Sequence, residues 1–535
     1  ACVGNISRPV GGVDEHGNPI PVSPTGGGDE LPTGPQPEVI PPFEPAALKG
    51  RLLLSWQYTN TIRDVLGPAA AAAVTPPADV ALNGLTAIGA GAVTVSTSSV
   101  TKYETNAYAA AAAAQLSYGC APTVAIDDAC FGRFLDIYGK RLFRRPLTAE
   151  ERTTWTNVQH QAAMAYSSFT KGVEFALAGL LQSPGFLYRF ETGAPEGQWV
   201  KLTPYEVATR LSFFIVGTTP SDALLTAAEN GELDTADGIR NQASLLIGQS
   251  GVGEAAAHFF DEVLDQHELE HLGKDRTTFP TFDNALVASM REELHHIITS
   301  DAFTTDFRNL IDSDHTYVDA KLAGLYGVQA PASGWARVTL PADQPRAGLL
   351  GTAGFLALKA HPVSSSPTLR GKLVREKFLC EAVGAPPPDV DTNLPDPVPG
   401  VNTTLRERLM GHLTAPSCAG CHKLMDPLGF AFENFDAIGA HRTLDNTKPV
   451  DATGALDKVT FTDAKGLAAA LKADKRVMRC LTNSMYRQAS GHVELYSETA
   501  SLRAAEKAFI ESGYQLRFLL VELAASDAFR YGRAP

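Results

Sequence analysis

Apolar residues recur at helical spacing along most of the chain. Leu52, Leu53, Trp56, Ile62, Val65 and Leu66 fit one face of a 3.6-residue period, and Gly67-Pro68 ends the run. A second helix is predicted through Tyr103 and Tyr108. From Cys130 a stripe of Phe131, Phe134, Ile137 and Tyr138 marks another helical unit, which runs into Arg141, Arg144 and Arg145. Those arginines read as a solvated helix end in preference to an anion site. Thr148 with Glu151 three residues later makes a capping box, a helix-start signal. The helix through Phe169, Val173, Ala176, Leu180 and Leu181 stops at Ser183-Pro184. Thr203-Pro204-Tyr205-Glu206 gives the start signal again, with Pro at the first helical position. Strand-like alternation is scarce, with short segments expected near 335–340 and 457–461.

Breaks in this periodicity suggest the organisation. Residues 1–45 are rich in Pro and Gly and read as an extended tether. Helical modules follow at 46–119, 120–195 and 196–330. Residues 331–450 combine a connection punctuated by Pro386-Pro387-Pro388 with a compact module around a cysteine motif, and 451–535 form a last helical module. The expected fold is mainly α, multi-module, with little β. A chain of 535 residues exceeds what one packed core holds.

Composition narrows the class of partners. Hydrophobic residues at 44% and charged residues at 19% describe a globular chain. A net charge of −14 argues against nucleic acid and anionic membrane surfaces. No run of roughly 20 apolar residues exists to span a bilayer.

The sharpest chemical signal is Cys418-Ala419-Gly420-Cys421-His422, which reads C-x-x-C-H. Two thiols at this spacing bond the two vinyl groups of one porphyrin, and the adjacent imidazole supplies the proximal iron ligand. The expectation is a cytochrome c-like module with one covalent haem c, held by Cys418 and Cys421 and ligated by His422. Phe430, Phe432 and Phe435 follow closely and either flank the porphyrin or belong to the core; Arg442 is a candidate partner for a propionate. The sixth ligand decides between an electron carrier and an open, reactive iron. Met485, His412 and His361 are the candidates. The size of the helical body before the motif favours an oxidoreductase, peroxidase- or oxygenase-like, over an electron-transfer cytochrome. Its partner would be a redox protein or a small-molecule oxidant or substrate.

A competing motif, His267-Glu268-Leu269-Glu270-His271, matches H-E-x-x-H. On an α-helix its two histidines share a face and chelate zinc, with Glu268 as general base and Glu292 or Glu293 as third ligand. That alternative is a zinc-dependent hydrolase. Against it stand the charged Glu270, the acidic flank, and Gly273-Lys274-Asp275, which reads as a surface turn.

Five cysteines remain beyond the haem pair. Cys120 and Cys130 are placed to close a small ring, and Cys380 and Cys480 to close a large one around the motif; the alternative is buried thiols. Disulfides and covalent haem both point to an oxidising compartment outside the cytoplasm: periplasm, outer membrane or cell surface. Cys2 is left odd. Ala1-Cys2 resembles the tail of a bacterial lipobox, so a lipid on Cys2 is the one expected membrane contact.

Several stretches together resemble the large secreted bacterial c-type cytochromes built from five successive domains of unknown function. The likeness rests on Tyr58 through Gly67, Phe143 through Thr148, Ser183 through Arg189, Leu202 through Glu206 with Arg210-Leu211-Ser212, Ser366 through Lys372, and Cys418 through Arg442. The last carries C-x-x-C-H-x-x-M-D-P-x-G-F and then E-N-F-D-A-I-G. This chain departs from the family in having Gly491-His492 where Gly-Arg is usual. The resemblance implies covalent haem and an extracytoplasmic address, and little about the reaction.

Overall fold

The computed structural model describes residues 40–304, 306–384, 402–415 and 418–534. Cys2, most of the tether and Pro386-Pro387-Pro388 lie outside these residues. The fold is mainly α, with strands of two to four residues. No helix among the described residues is long and apolar enough to cross a membrane. The chain forms two compact units that interleave in sequence. An outer unit takes residues 40–255, Met485–Ala505 and the segment from Leu519 onward; an inserted unit takes Ala256–Ser484 and Glu506–Phe518.

In the outer unit, Tyr58, Ile62 and Leu66 of helix Ser55–Leu66 meet Phe131 and Phe134 and the stripe Val173, Leu177 and Leu181 of helix Phe169–Gln182. A second cluster gathers Val207, Leu211 and Ile215 of helix Pro204–Ile215 with Leu224, Ile239 and Phe529. Both capping boxes form: Thr148 accepts from the Glu151 amide, and Thr203 from the Glu206 amide. Strand Trp199–Lys201 lies between antiparallel neighbours Ala194–Glu196 and Tyr531–Gly532. Cys120 and Cys130 are joined, with Cα atoms 5.8 Å apart.

Arg144 corrects the reading of a solvated helix end. It adopts φ 59°, which stops helix Lys140–Phe143, and its buried guanidinium donates to the carbonyls of Leu142, Gly185, Phe186 and Tyr188. It stitches two loops together. Nearby, Glu191 accepts from both Arg51 and Arg210, all three buried. Burial pushes the Glu191 carboxyl up, and the two guanidiniums outweigh it, holding the group below the usual carboxylate range.

In the inserted unit, helix Asn284–Asp301 packs on helix Ala353–Leu358 and on strand His315–Val318, which pairs antiparallel with Ala336–Thr339. Glu293 is wholly buried and accepts from Thr316 Oγ1 at 2.6 Å and Tyr326 Oη at 2.7 Å. Burial pushes its carboxyl up to about 7. Cys380 and Cys480 are joined, with Cα atoms 5.3 Å apart. The expected short β segments occur at Ala336–Thr339 and Val459–Phe461.

Candidate functional site

The C-x-x-C-H segment opens helix Ala419–Gly429, with Cys418 as its N-cap residue and Cys421 and His422 in its first turn. Helix Leu405–Thr414 precedes it and starts at a capping box made by Thr404 and Glu407. A small cluster of Leu405, Leu409 and Phe430 ties the two helices together. The stronger anchor is helix Pro367–Phe378. A Cβ on Gly371 would stand 1.9 Å from the Met425 carbonyl oxygen, and one on Gly429 1.7 Å from that of Pro367. Backbone therefore touches backbone at both crossings, closer than side-chain packing between helices permits. This accounts physically for the glycines in Arg370-Gly371 and in Pro427-Leu428-Gly429.

Arg370 extends from the same helix. Its buried guanidinium donates to the carbonyls of Leu356, Phe432, Phe435 and Asp436 and so fixes the loop after the motif helix. Arg375 donates to the Leu424 carbonyl at 2.9 Å. The motif helix is held by Gly371 and Arg375 of one neighbouring helix and by its own Gly429, and the loop after it by Arg370.

Within this frame, Cys418 and Cys421 stand outside both disulfides at intermediate exposure. The Nδ1 of His422 lies 2.9 Å from Oδ2 of Asp426, one turn along the helix. Asp426 is fully buried, and its other oxygen accepts from Thr368 Oγ1 at 2.7 Å. With Nδ1 donating to a carboxylate, the neutral form of the ring carries its lone pair on Nε2. His412 sits beside His422, ring centroids 4.7 Å apart, and its buried Nδ1 has no hydrogen-bond partner among the described residues. Two thiols, the Asp426-bonded imidazole and a second imidazole with an unpartnered Nδ1 thus share one end of the helix pair.

The other named residues have surroundings of their own. Met485 is buried in the outer unit, whereas His422 belongs to the inserted unit. His361 is exposed, and its carbonyl accepts from Lys274 Nζ. Arg442 spends its donors on the Glu433 carboxylate and carbonyl, on Asp445 and on Ser365. Phe432 packs against Phe355, and Arg346 and Arg406 lie over Phe435 and Phe430. In the outer unit, His492 places Nε2 3.1 Å from the buried Glu498 carboxylate, so a histidine–carboxylate pair stands at the position where this chain departs from the pattern it resembles.

The H-E-x-x-H segment folds as the 3₁₀ helix Gln266–His271, not as an α-helix. At three residues per turn, positions i and i+4 point about 120° apart, so His267 and His271 do not share a face. Glu268 lies 3.4 Å from His267, Glu270 pairs with Arg291, and Glu293 is sealed beneath Thr316 and Tyr326. Lys274, expected in a surface turn, is buried, with Nζ donating to the carbonyls of Ala357, Ala360 and His361. Among the described residues no group of three or more His, Cys, Asp or Glu gathers to hold a metal ion.

Asp426, the partner of His422, is not among the residues singled out in the sequence. Its signal was the i, i+4 spacing from His422 inside a helical segment.

Five segments match described domain families, each a protein of unknown function: DUF1587 at 51–115, DUF1595 at 130–191, DUF1592 at 202–328, DUF1588 at 346–445 and DUF1585 at 457–529. Cys418, Cys421, His422, Asp426, Thr368 and Gly371 all fall in the fourth. No curated protein and no solved structure matches the chain. With all five present in succession, the chain belongs to the family built from these five domains of unknown function.

Proposed function

We propose that this protein is an extracytoplasmic redox protein carrying one covalent haem c, bound through Cys418 and Cys421 and ligated by His422 Nε2. One observation carries the reading: both thiols lie outside the disulfides at the start of the helix on which His422 has its Nδ1 engaged by Asp426. The donor set fits a ring held by bonds to carbon. A chelated zinc needs four converging donors, and no such gathering of even three exists among the described residues. The unpartnered Nδ1 of His412 beside His422 is a further polar atom that a bound group would serve. The two disulfides support an oxidising compartment.

When bound, the haem supplies one-electron chemistry at its iron. The chain fixes the attachment helix by Gly371, Gly429 and Arg375, orients the imidazole by Asp426, and holds Asp426 by Thr368. The partner is a redox protein or a small-molecule oxidant or substrate. Of the two redox roles, an oxidoreductase fits the large helical body better than an electron carrier does.

The test is the visible spectrum of the protein exported with haem-attachment machinery, reduced, with and without carbon monoxide. The expected result is haem that survives acid–organic extraction, with a spectrum that shifts on carbon monoxide. A carbon monoxide-indifferent, low-spin spectrum would overturn the oxidoreductase role and leave an electron carrier. Absence of covalent haem would overturn the whole reading.

A further inference from the structure

The built feature at the motif helix is the hydrogen-bonded line Thr368–Asp426–His422. It has three parts. His422 Nδ1 lies 2.9 Å from Asp426 Oδ2, within the range of a charge-assisted bond. Asp426 is wholly buried, so its charge is not screened by water and acts at close range on the imidazole. Thr368 Oγ1 donates to Asp426 Oδ1 at 2.7 Å, which holds the carboxylate plane and withdraws part of its charge. Neither partner is adventitious. Asp426 is one helical turn from His422, and Thr368 comes from the helix whose backbone abuts the motif helix at Gly371 and Gly429. Lengthening this crossing would pull Thr368 off the carboxylate.

A carboxylate on the outer nitrogen of a ligating histidine raises the basicity of the inner nitrogen and fixes the ring orientation. The same position filled by a backbone carbonyl would give a weaker, neutral acceptor. We infer that Asp426 is a positioning residue that makes His422 an electron-rich axial ligand, and that Thr368 sets how far it does so. The inference rests on the haem reading above. Its consequence is a reduction potential held low, because an electron-rich ligand stabilises ferric over ferrous iron. A site tuned in this way holds the oxidised state and suits reaction with an oxidant. It is poorly suited to relaying electrons at high potential.

The two residues act in opposite directions, and this separates tuning from mere support. Asp426→Asn keeps an acceptor for the Nδ1 proton and removes the charge. The ferric/ferrous equilibrium is expected to move toward ferrous by about tenfold or more, in line with the effect that outer-shell partners have on metal affinity. For a one-electron couple that is about 59 mV upward per tenfold. Thr368→Val keeps the side-chain shape and removes the donor. It leaves more negative charge on Asp426, so the potential is expected to fall.

The experiment is a spectroelectrochemical titration of the exported holoprotein and both variants, with covalent haem content measured on the same samples. Opposite shifts at equal haem content support the inference. Shifts of one sign in both variants, or none in Asp426→Asn, overturn it while leaving covalent haem intact. Wild-type protein without covalent haem overturns the reading beneath it instead. If Asp426→Asn does not accumulate, Thr368→Val decides alone: a fall supports the inference, and a rise or no change overturns it.

Discussion

Replacing Gly429 by alanine is a sharp test of how the motif helix is held. Helix propensity alone predicts that Gly429→Ala stabilises the protein by about 1 kcal/mol. The packing predicts the opposite. The added Cβ would stand 1.7 Å from the Pro367 carbonyl oxygen and 2.3 Å from its carbon, where ordinary contact begins near 3.4 Å. The obstacle is backbone, so no side chain can swing aside. The two helices must part by roughly 1.5 Å, since a close-packed interior offers no other slack. Overpacking of this kind costs about 1–3 kcal/mol. The separation also stretches the Thr368–Asp426 bond from 2.7 Å to beyond hydrogen-bond reach. Losing a hydrogen bond to a buried charge costs about 1.5–3 kcal/mol more. Set against the gain of about 1 kcal/mol from helix propensity, the expected net loss is about 1.5–5 kcal/mol, read as a drop in the urea midpoint at unchanged slope with both disulfides intact. A midpoint that stays or rises would refute the backbone-to-backbone crossing.

Two further outcomes follow from the inserted unit. Replacing Cys380 and Cys480 by serine opens a loop of about a hundred residues and should lower stability by about 4–5 kcal/mol in denaturant titration; a loss under about 1 kcal/mol would contradict the bridge. Glu293 has a folded-state carboxyl near 7 against an ordinary 4.5, so the folded form keeps a proton that the unfolded form releases. Its contribution is full below about 4.5 and is lost as pH rises through about 7, a change of about 3 kcal/mol. Glu293→Gln should flatten stability between pH 5 and 8, and an unchanged slope in that variant would count against this assignment.

Local signals were the most legible in the sequence. Thr148 and Thr203 carry their partners three residues away, and both capping boxes form. The cysteine pairs were readable because ring size and context limit the choices, and Cys120–Cys130 and Cys380–Cys480 both form. Features set by distant segments were not legible. Arg144 looked like a solvated helix end because its four carbonyl acceptors include Gly185 and Tyr188, far along the chain. Lys274 looked exposed for the same reason, its acceptors lying at 357–361. The H-E-x-x-H spacing presumed an α-helix, and only the backbone reveals three residues per turn. At the candidate site the C-x-x-C-H spacing was plain, and the Asp426 partnership was within reach of helix geometry. Its support from Thr368 depends on a close crossing that two lone glycines only hint at. Among the proposed sixth ligands, the sequence had no means to show that His412 lies beside His422 while Met485 belongs to the other unit.

The pairing of Tyr531–Gly532 with Trp199–Lys201 bears on the order of assembly. The Leu48 amide also donates to the Arg533 carbonyl, and the Arg533 amide to that of Ala46, so the outer unit joins the two extremes of the described chain. Contacts of such sequence separation form late, because the entropy of closing the intervening loop must be overcome first. As the chain is made, the first helices of the outer unit emerge early, with part of their apolar surface awaiting Leu519 onward. Most of the inserted unit is one continuous segment and has the shorter wait. The cysteine motif therefore reaches a near-native setting before the outer unit closes, which leaves its thiols open to modification while the rest is still folding. A chain cut short of Tyr531 would expose one edge of Trp199–Lys201, and such unpaired edges recruit other strands. The last few residues act as the latch on a unit that began to form some five hundred residues earlier.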